Sequence, residues 1–64
     1  MKITITIHCD NAAFDGAPEV EVYRILTSVA QRCLQNSVQD LDGRPLQDIN
    51  GNSVGRVVVE GGAA

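Results

Sequence analysis

Residues 1–9 are MKITITIHC, a stretch in which apolar and polar side chains alternate one by one. The apolar members are Ile3, Ile5, Ile7 and Cys9. A period of two is typical of a β-strand with one buried face and one solvated face. The stretch therefore predicts that the chain begins with a strand of a sheet, and that a helix covers one side of that sheet.

The middle of the chain predicts one long helix from Pro18 to about Gln35. Proline suits the first helical position because its missing N–H would be unpaired there anyway. A buried stripe with helical spacing consists of Val22, Ile25, Leu26, Val29 and Cys33. A second stripe either widens the core face or forms a self-association surface. Its members are Val20, Tyr23, Thr27, Ala30 and Leu34.

Two shorter segments flank this helix. Before it, Asp10 or Asn11 is expected to cap a single helical turn that ends at Phe14, which would close one end of the core. After it, the chain is expected to return in a loop that covers Val38 or Leu41.

The last part of the chain predicts a β-hairpin with arms at residues 45–49 and 54–60. Asn50-Gly51 between two apolar arms is a strong hairpin signal, because both residues accept positive φ. A three-residue turn would exchange the two faces of the second arm, so the register depends on turn length. With a two-residue turn, the core face consists of Leu46, Gly55, Val57 and Val59, with Asp48 beside it near the turn. The other face then consists of Gln47, Ile49, Val54, Arg56 and Val58.

The order of these elements predicts an α+β fold of the type β-α-β-β. A three-stranded antiparallel sheet carries one long helix on one face, with a short helical turn before the helix. Pro45 places the second strand at an edge, because proline cannot donate to a ladder. Gly55 is expected to mark a bulge or a close approach of the helix. We expect one domain over residues 1–60 and a frayed tail over residues 61–64.

Composition excludes several classes of partner. The 64 residues carry eight acidic and five basic side chains, which gives a formal net charge of −3. This balance disfavours direct nucleic-acid binding and adhesion to anionic membranes, which both need a basic surface. No stretch resembles a secretory signal or a membrane span, so we expect a cytoplasmic protein.

The chemistry-bearing residues do not form a recognisable active site. His8 and Cys9 are neighbours on a predicted strand, so their side chains point to opposite faces and cannot readily share a metal ion. Both Cys9 and Cys33 are expected to be buried and reduced, with a disulfide between them as the alternative. The sequence predicts no catalytic residues, no metal site and no cofactor.

Acidic residues are the remaining candidate for a binding site. The segment between Lys2 and Arg24 contains four acidic side chains and no Lys or Arg. These acids complement the helix dipole and aid solubility, or they form a negative patch that docks on a basic groove of another protein. The predicted partner-binding residues are Asp10, Asp15, Glu19, Glu21, Asp40, Asp42 and Asp48.

Three segments carry a resemblance to known proteins. The sequences DNAAF at residues 10–14, EVYRIL at residues 21–26 and DINGNSVG at residues 48–55 resemble a group of very short phage and prophage proteins. In size, acidity and lack of catalytic groups the chain also resembles small anti-CRISPR inhibitors. That likeness implies a non-enzymatic inhibitor in the host cytoplasm, bound to a host complex with a basic nucleic-acid-binding surface, such as a CRISPR–Cas effector. The alternative is a small accessory or structural phage protein that self-associates, for example as a homodimer.

Overall fold

The computed structural model describes residues 1–61 and has the predicted α+β architecture. Three antiparallel strands form one sheet in the order β1-β3-β2, so the Val-rich last strand is central and the Pro45 strand is an edge. Of the predicted tail, residues 62–64 lie outside the described part. The elements are β1 (Lys2–Ile7), α1 (Pro18–Gln35), β2 (Pro45–Gln47) and β3 (Ser53–Glu60), with 3-10 turns at Ala12–Phe14 and Gln39–Leu41.

Both predicted ends of the helix are confirmed. Pro18 occupies the start of α1, where no N–H is needed. Glu19 lies in the first turn and Arg32 near the last, as the helix dipole favours. At the other end the Asn36 N–H donates to the Arg32 carbonyl oxygen at 3.0 Å.

The two segments that flank α1 are both short 3-10 turns. Asn11 caps the first one, because its Oδ1 accepts a hydrogen bond from the Ala13 N–H at 3.0 Å. Phe14 ends that turn and is 3% exposed, as predicted. The return loop contains a second turn that was not predicted, and it carries Leu41 into the core.

The core lies under only part of the sheet. It consists of Phe14, Ile25, Leu41, Leu46, Val54 and Val57, with six partly buried neighbours around it. Along β1 only Ile7 is half-buried, whereas Ile3 and Ile5 are 44% and 39% exposed. The predicted burial of the β1 apolar face is therefore wrong for these two residues, because the buried cluster forms around β3 and β2 instead. Cys9 is also exposed, since β1 ends at Ile7 before reaching it.

The hairpin turn differs from the prediction. Asp48 donates its N–H to the Asn52 carbonyl at 2.9 Å, and Gly51 donates to the Asp48 carbonyl at 3.0 Å. The loop therefore has three residues, 49–51, and only Gly51 has a positive φ, at 85°. A three-residue loop that ends on a left-handed glycine is a common hairpin alternative.

A β-bulge restores the predicted faces. The register passes from Gln47 opposite Ser53 to Leu46 opposite Gly55, so Val54 is the extra residue. Leu46 consequently shares a face with Gly55, Val57 and Val59, as predicted for a two-residue turn. Val54 itself is 5% exposed and belongs to the core, which corrects its predicted place on the other face.

Gly55 is a point of close backbone approach. A Cβ added there would overlap the Thr6 carbonyl oxygen and lie 2.7 Å from the Thr6 carbonyl carbon. The element that comes close to Gly55 is therefore strand β1, so the predicted close approach of the helix is wrong. The alternative prediction, a bulge beside Gly55, is confirmed.

Candidate functional site

Five of the seven predicted binding acids are exposed, and they form two groups along the chain. The first group, Asp10, Asp15 and Glu19, surrounds the first 3-10 turn and the start of α1. The second group, Asp40 and Asp42, follows the end of α1. Since α1 has 18 residues and rises about 1.5 Å per residue, about 27 Å of helix separates the groups along the chain.

The second group also takes part in internal contacts. The Asp40 carboxylate lies 3.4 Å from the Arg44 guanidinium, in an exposed ion pair. One Asp42 carboxylate oxygen accepts a hydrogen bond from the Val59 N–H at 2.9 Å. The first group is therefore the better candidate for contact with another molecule.

Glu21 and Asp48 do not belong to the exposed acidic surface. They are 6% and 4% exposed, and both carboxylates are engaged in hydrogen bonds inside the domain. Their predicted place in a docking surface is corrected by this burial. A carboxylate is buried only where hydrogen bonds or an opposite charge compensate for lost water, and both residues have such partners.

The Asp48 carboxylate organises the hairpin loop. Its Oδ1 accepts hydrogen bonds from the Asn50 N–H at 2.8 Å and the Asn52 N–H at 2.9 Å. Its Oδ2 accepts from the side-chain amides of Asn11 at 2.7 Å and Asn52 at 3.2 Å. The bond from Asn11 joins segment 10–14 to segment 48–55, two of the three segments that carry the resemblance. The motif residues therefore stabilise the fold through contact with each other.

The Glu21 carboxylate connects the helix to the same loop. It accepts two hydrogen bonds from the Arg24 guanidinium, at 2.8 and 3.2 Å, and one from the Ile49 N–H at 2.8 Å. Arg24 also donates to the Gln47 carbonyl oxygen at 2.9 Å. Glu21 and Arg24 thus hold α1 against the loop that follows β2.

These contacts lower the pKa of both buried carboxyls. The hydrogen bond from Arg24 is the main cause for Glu21, whose pKa falls below its ordinary value of 4.5 although burial opposes the change. For Asp48, burial acts to raise the pKa, but the hydrogen bonds from Asn52, Asn11 and Asn50 outweigh burial. The net result is a pKa below the ordinary value of 3.8.

Acid should therefore destabilise the domain through these two groups. In the folded state they bind protons less readily than in the unfolded chain. Their contribution is complete above their ordinary pKa values, 4.5 and 3.8, and is lost as pH falls through the lower folded values. Urea unfolding between about pH 6 and pH 2 measures this loss. A Glu21→Gln/Asp48→Asn variant should have a flatter pH dependence, and an unchanged slope would contradict the assignment.

An open cleft of about 360 Å³ between α1 and β2 gathers basic residues. Arg24, Arg32 and Arg44 all line it, which is three of the five basic residues of the chain. Arg24 and Arg44 are engaged with Glu21 and Asp40. The Arg44 Nε is buried without a hydrogen-bond partner among residues 1–61. Most of the basic charge in this cleft is therefore neutralised by the chain's own acids.

No metal-binding arrangement is present in the described part of the chain, where no three His, Cys, Asp or Glu side chains lie together. Cys9 and Cys33 are both free thiols. Among residues 1–61, no helix is long and apolar enough to cross a membrane.

Several large apolar side chains remain exposed. On α1 the second stripe faces solvent at Val20, Tyr23 and Leu34, with exposures of 65%, 71% and 89%. Single exposed apolar residues are ordinary, whereas a large contiguous apolar patch marks an interaction surface. These three residues therefore do not widen the core face, which was one of the two interpretations of this stripe.

Comparison with protein-family models, with curated proteins and with solved structures finds no match to this chain.

Sequence reasoning missed the partners that make Asp48 and Glu21 structural. The missed residues are Asn11 and Asn52 around Asp48, and Arg24 beside Glu21. A local signal for the role of Asp48 exists at Asn50, since an Asp side chain commonly accepts from a backbone N–H two residues later. No local signal points to Asn11, which lies 37 positions away. The spacing of Glu21 and Arg24, three apart on a helix, is the corresponding signal for an ion pair.

Proposed function

We propose that this chain is a non-enzymatic inhibitor that binds a host defence complex through exposed acidic side chains. Its partner is a basic surface that otherwise holds nucleic acid, of the kind found in a CRISPR–Cas effector. The single observation behind this proposal is the exposed group Asp10, Asp15 and Glu19, in a segment that contains no Lys or Arg. Opposite charges accelerate association and favour one orientation of the partners.

The burial of Glu21 and Asp48 sharpens this proposal. The exposed acids are available to a partner without loss of internal contacts, whereas the buried pair is not. The likeness of segments 10–14, 21–26 and 48–55 to short phage proteins supports a role against a host system. The site of action would then be the host cytoplasm.

Charge reversal of the first group tests the proposal. In the triple variant Asp10→Lys/Asp15→Lys/Glu19→Lys the net charge changes from −3 to +3, because each reversal adds two charges. We expect the association rate with a purified CRISPR–Cas effector to fall by about tenfold or more, and inhibition of its DNA binding to be lost. A mobility-shift assay on the effector and its target DNA measures the inhibition.

A matched control separates this site from general charge effects: Glu60→Lys is compared with the single reversal Glu19→Lys of the first group, because each changes the net charge from −3 to −1. Glu60 is an exposed acid at the end of β3, far along the chain from the first group, and Glu60→Lys should inhibit as the wild type does. Circular dichroism confirms that each variant is folded. Full inhibition by the triple variant would refute the acidic docking surface.

A second candidate function is self-association as a small accessory protein. The observation that favours it is the set of large apolar side chains exposed on β1, α1 and the hairpin loop. They are Met1, Ile3, Ile5, Val20, Tyr23, Leu26, Leu34 and Ile49. Light scattering over a range of concentrations tests this candidate, and a monomer throughout would remove it.

A further inference from the structure

The two edges of the sheet differ in how they are protected. Strand β2 has only three residues, begins at Pro45 and has an irregular register between Leu46 and Gln47, which are three devices that block pairing with another strand. Strand β1 has six residues in continuous register with β3, and no proline. Its only charged residue is Lys2, at its first position. The β1 edge therefore has no protection along most of its length.

The register identifies which backbone groups this edge presents. The His8 N–H donates to the Val54 carbonyl at 2.7 Å, so these residues form a hydrogen-bonded pair. Hydrogen-bonded and non-hydrogen-bonded pairs alternate along an antiparallel ladder. Ile3, Ile5 and Ile7 consequently lie in non-hydrogen-bonded pairs with β3, and their N–H and C=O groups point away from it. Within residues 1–61 no further strand pairs with them.

The side chains of the same residues are apolar and accessible. Ile3 and Ile5 are 44% and 39% exposed, on the face of the sheet that holds the core. Thr4 and Thr6 occupy the opposite face. A strand added at this edge would therefore bury isoleucine on one face and threonine on the other, which matches the composition of β1 itself.

We propose that two copies of the chain pair antiparallel through their β1 edges, about a twofold axis at Ile5. In this register Ile5 lies opposite Ile5 of the second copy, and Ile3 lies opposite its Ile7. Every outward N–H and C=O of the three isoleucines is then paired, and the apolar faces coincide. A slip by one residue would put isoleucine opposite threonine and place the helices on opposite faces.

The product is a continuous six-stranded sheet with both helices on one face. Lys2 lies opposite His8 of the second copy, so the register brings no two acidic side chains together. This inference rests on the self-association given above as the second candidate function, and it specifies the surface and the register. A shared edge also satisfies backbone groups that a single small sheet leaves to water.

Cysteine cross-linking tests the register directly. In a Cys9→Ser/Cys33→Ser background, Ile5→Cys should form a disulfide dimer on mild oxidation, because directly opposed Cα atoms lie about 5.5 Å apart. Ile3→Cys is the matched control, with similar exposure in the same strand. The two copies of residue 3 would lie four residues out of register, about 13 Å apart, so they should not cross-link.

Light scattering up to about 1 mM gives the second readout, with an expected mass of twice the 6.8 kDa chain. Ile5→Lys should give a monomer, whereas Tyr23→Lys on the helix should leave the dimer intact. Loss of the dimer with Tyr23→Lys but not with Ile5→Lys would overturn the edge pairing and leave self-association standing. A wild-type monomer without cross-links would overturn both, and cross-linking of Ile3→Cys alone would overturn the register.

Discussion

Replacing Gly55 with alanine should remove most of the stability of the domain. The new Cβ would overlap the Thr6 carbonyl oxygen, a backbone atom that a rotamer change cannot move. Relief requires β1 to move away from β3 along a ladder that runs from Lys2 to Ile7. We expect a loss of about 3 kcal/mol or more, at the upper end for overpacked sites.

The expected loss in Gly55→Ala is large relative to the whole free energy of unfolding of the domain. A chain of 64 residues at about 0.05–0.15 kcal/mol per residue has a stability of only about 3–10 kcal/mol. Urea unfolding followed by circular dichroism measures the change. Gly55→Ala should therefore be mostly unfolded, or should unfold at a much lower urea concentration than the wild type.

Gly43→Ala is the matched control for this prediction. Gly43 has a φ of +76° but no atom within 4 Å of an added Cβ. Alanine there pays only the cost of left-handed backbone, about 1–2 kcal/mol. Equal losses for the two variants would show that backbone conformation, and not the approach of β1, explains the glycine at position 55.

Replacing Asp48 with alanine should produce the second large effect, and the largest among single alanine substitutions of the seven predicted acids. The change leaves four donors without their acceptor, on Asn11, Asn50 and Asn52. The loop then loses its internal closure and its connection to the first 3-10 turn. Thermal and urea unfolding midpoints measure the effect.

The exposed acids provide the comparison. Asp15→Ala and Glu19→Ala remove solvated carboxylates, so each should change the unfolding midpoint only slightly. Asp48→Asn preserves the shape of the side chain but removes its charge, and should lie between the wild type and Asp48→Ala. If Asp48→Ala were no more destabilising than Asp15→Ala, the proposed role of Asp48 in closing the loop would be wrong.

Much of the architecture was predictable from local patterns. Alternation in residues 1–7, the Pro18 helix start and the apolar arms of the hairpin each predict their own element, because period and capping act over a few residues. The strand order follows from Pro45, because a strand that contains proline is disfavoured at the centre of a sheet and β2 is therefore expected at an edge. Each of these predictions depends only on residues that are neighbours in the sequence.

The remaining differences depend on contacts between distant segments. Whether Ile3 and Ile5 are covered depends on where the helix crosses the sheet, which no local pattern specifies. The three-residue loop shifts the register of β3 by one residue, and the bulge at Val54 shifts it back. Leu46, Gly55, Val57 and Val59 therefore share the face that was predicted for a two-residue turn. A charged residue near a turn is usually solvated, so the local sequence favours a surface position for Asp48, whose partner Asn11 lies 37 positions away.

The candidate site was predictable in part. Exposure of Asp10, Asp15 and Glu19 agrees with their positions beside the first 3-10 turn and in the first turn of α1. Glu21, by contrast, lies among them in sequence, but helical rotation turns it toward the loop and Arg24. Composition alone treats these four acids alike, and only the packing of α1 distinguishes them.

Amide hydrogen exchange at the tip of the hairpin, followed by NMR, shows whether the Asp48 carboxylate holds this loop to the rest of the domain. The Asn50 and Asn52 amides should exchange at least about 100-fold more slowly than in an unstructured peptide, and should lose this protection in Asp48→Ala. Exchange at the unstructured rate in the wild type would show that Asp48 does not hold the loop.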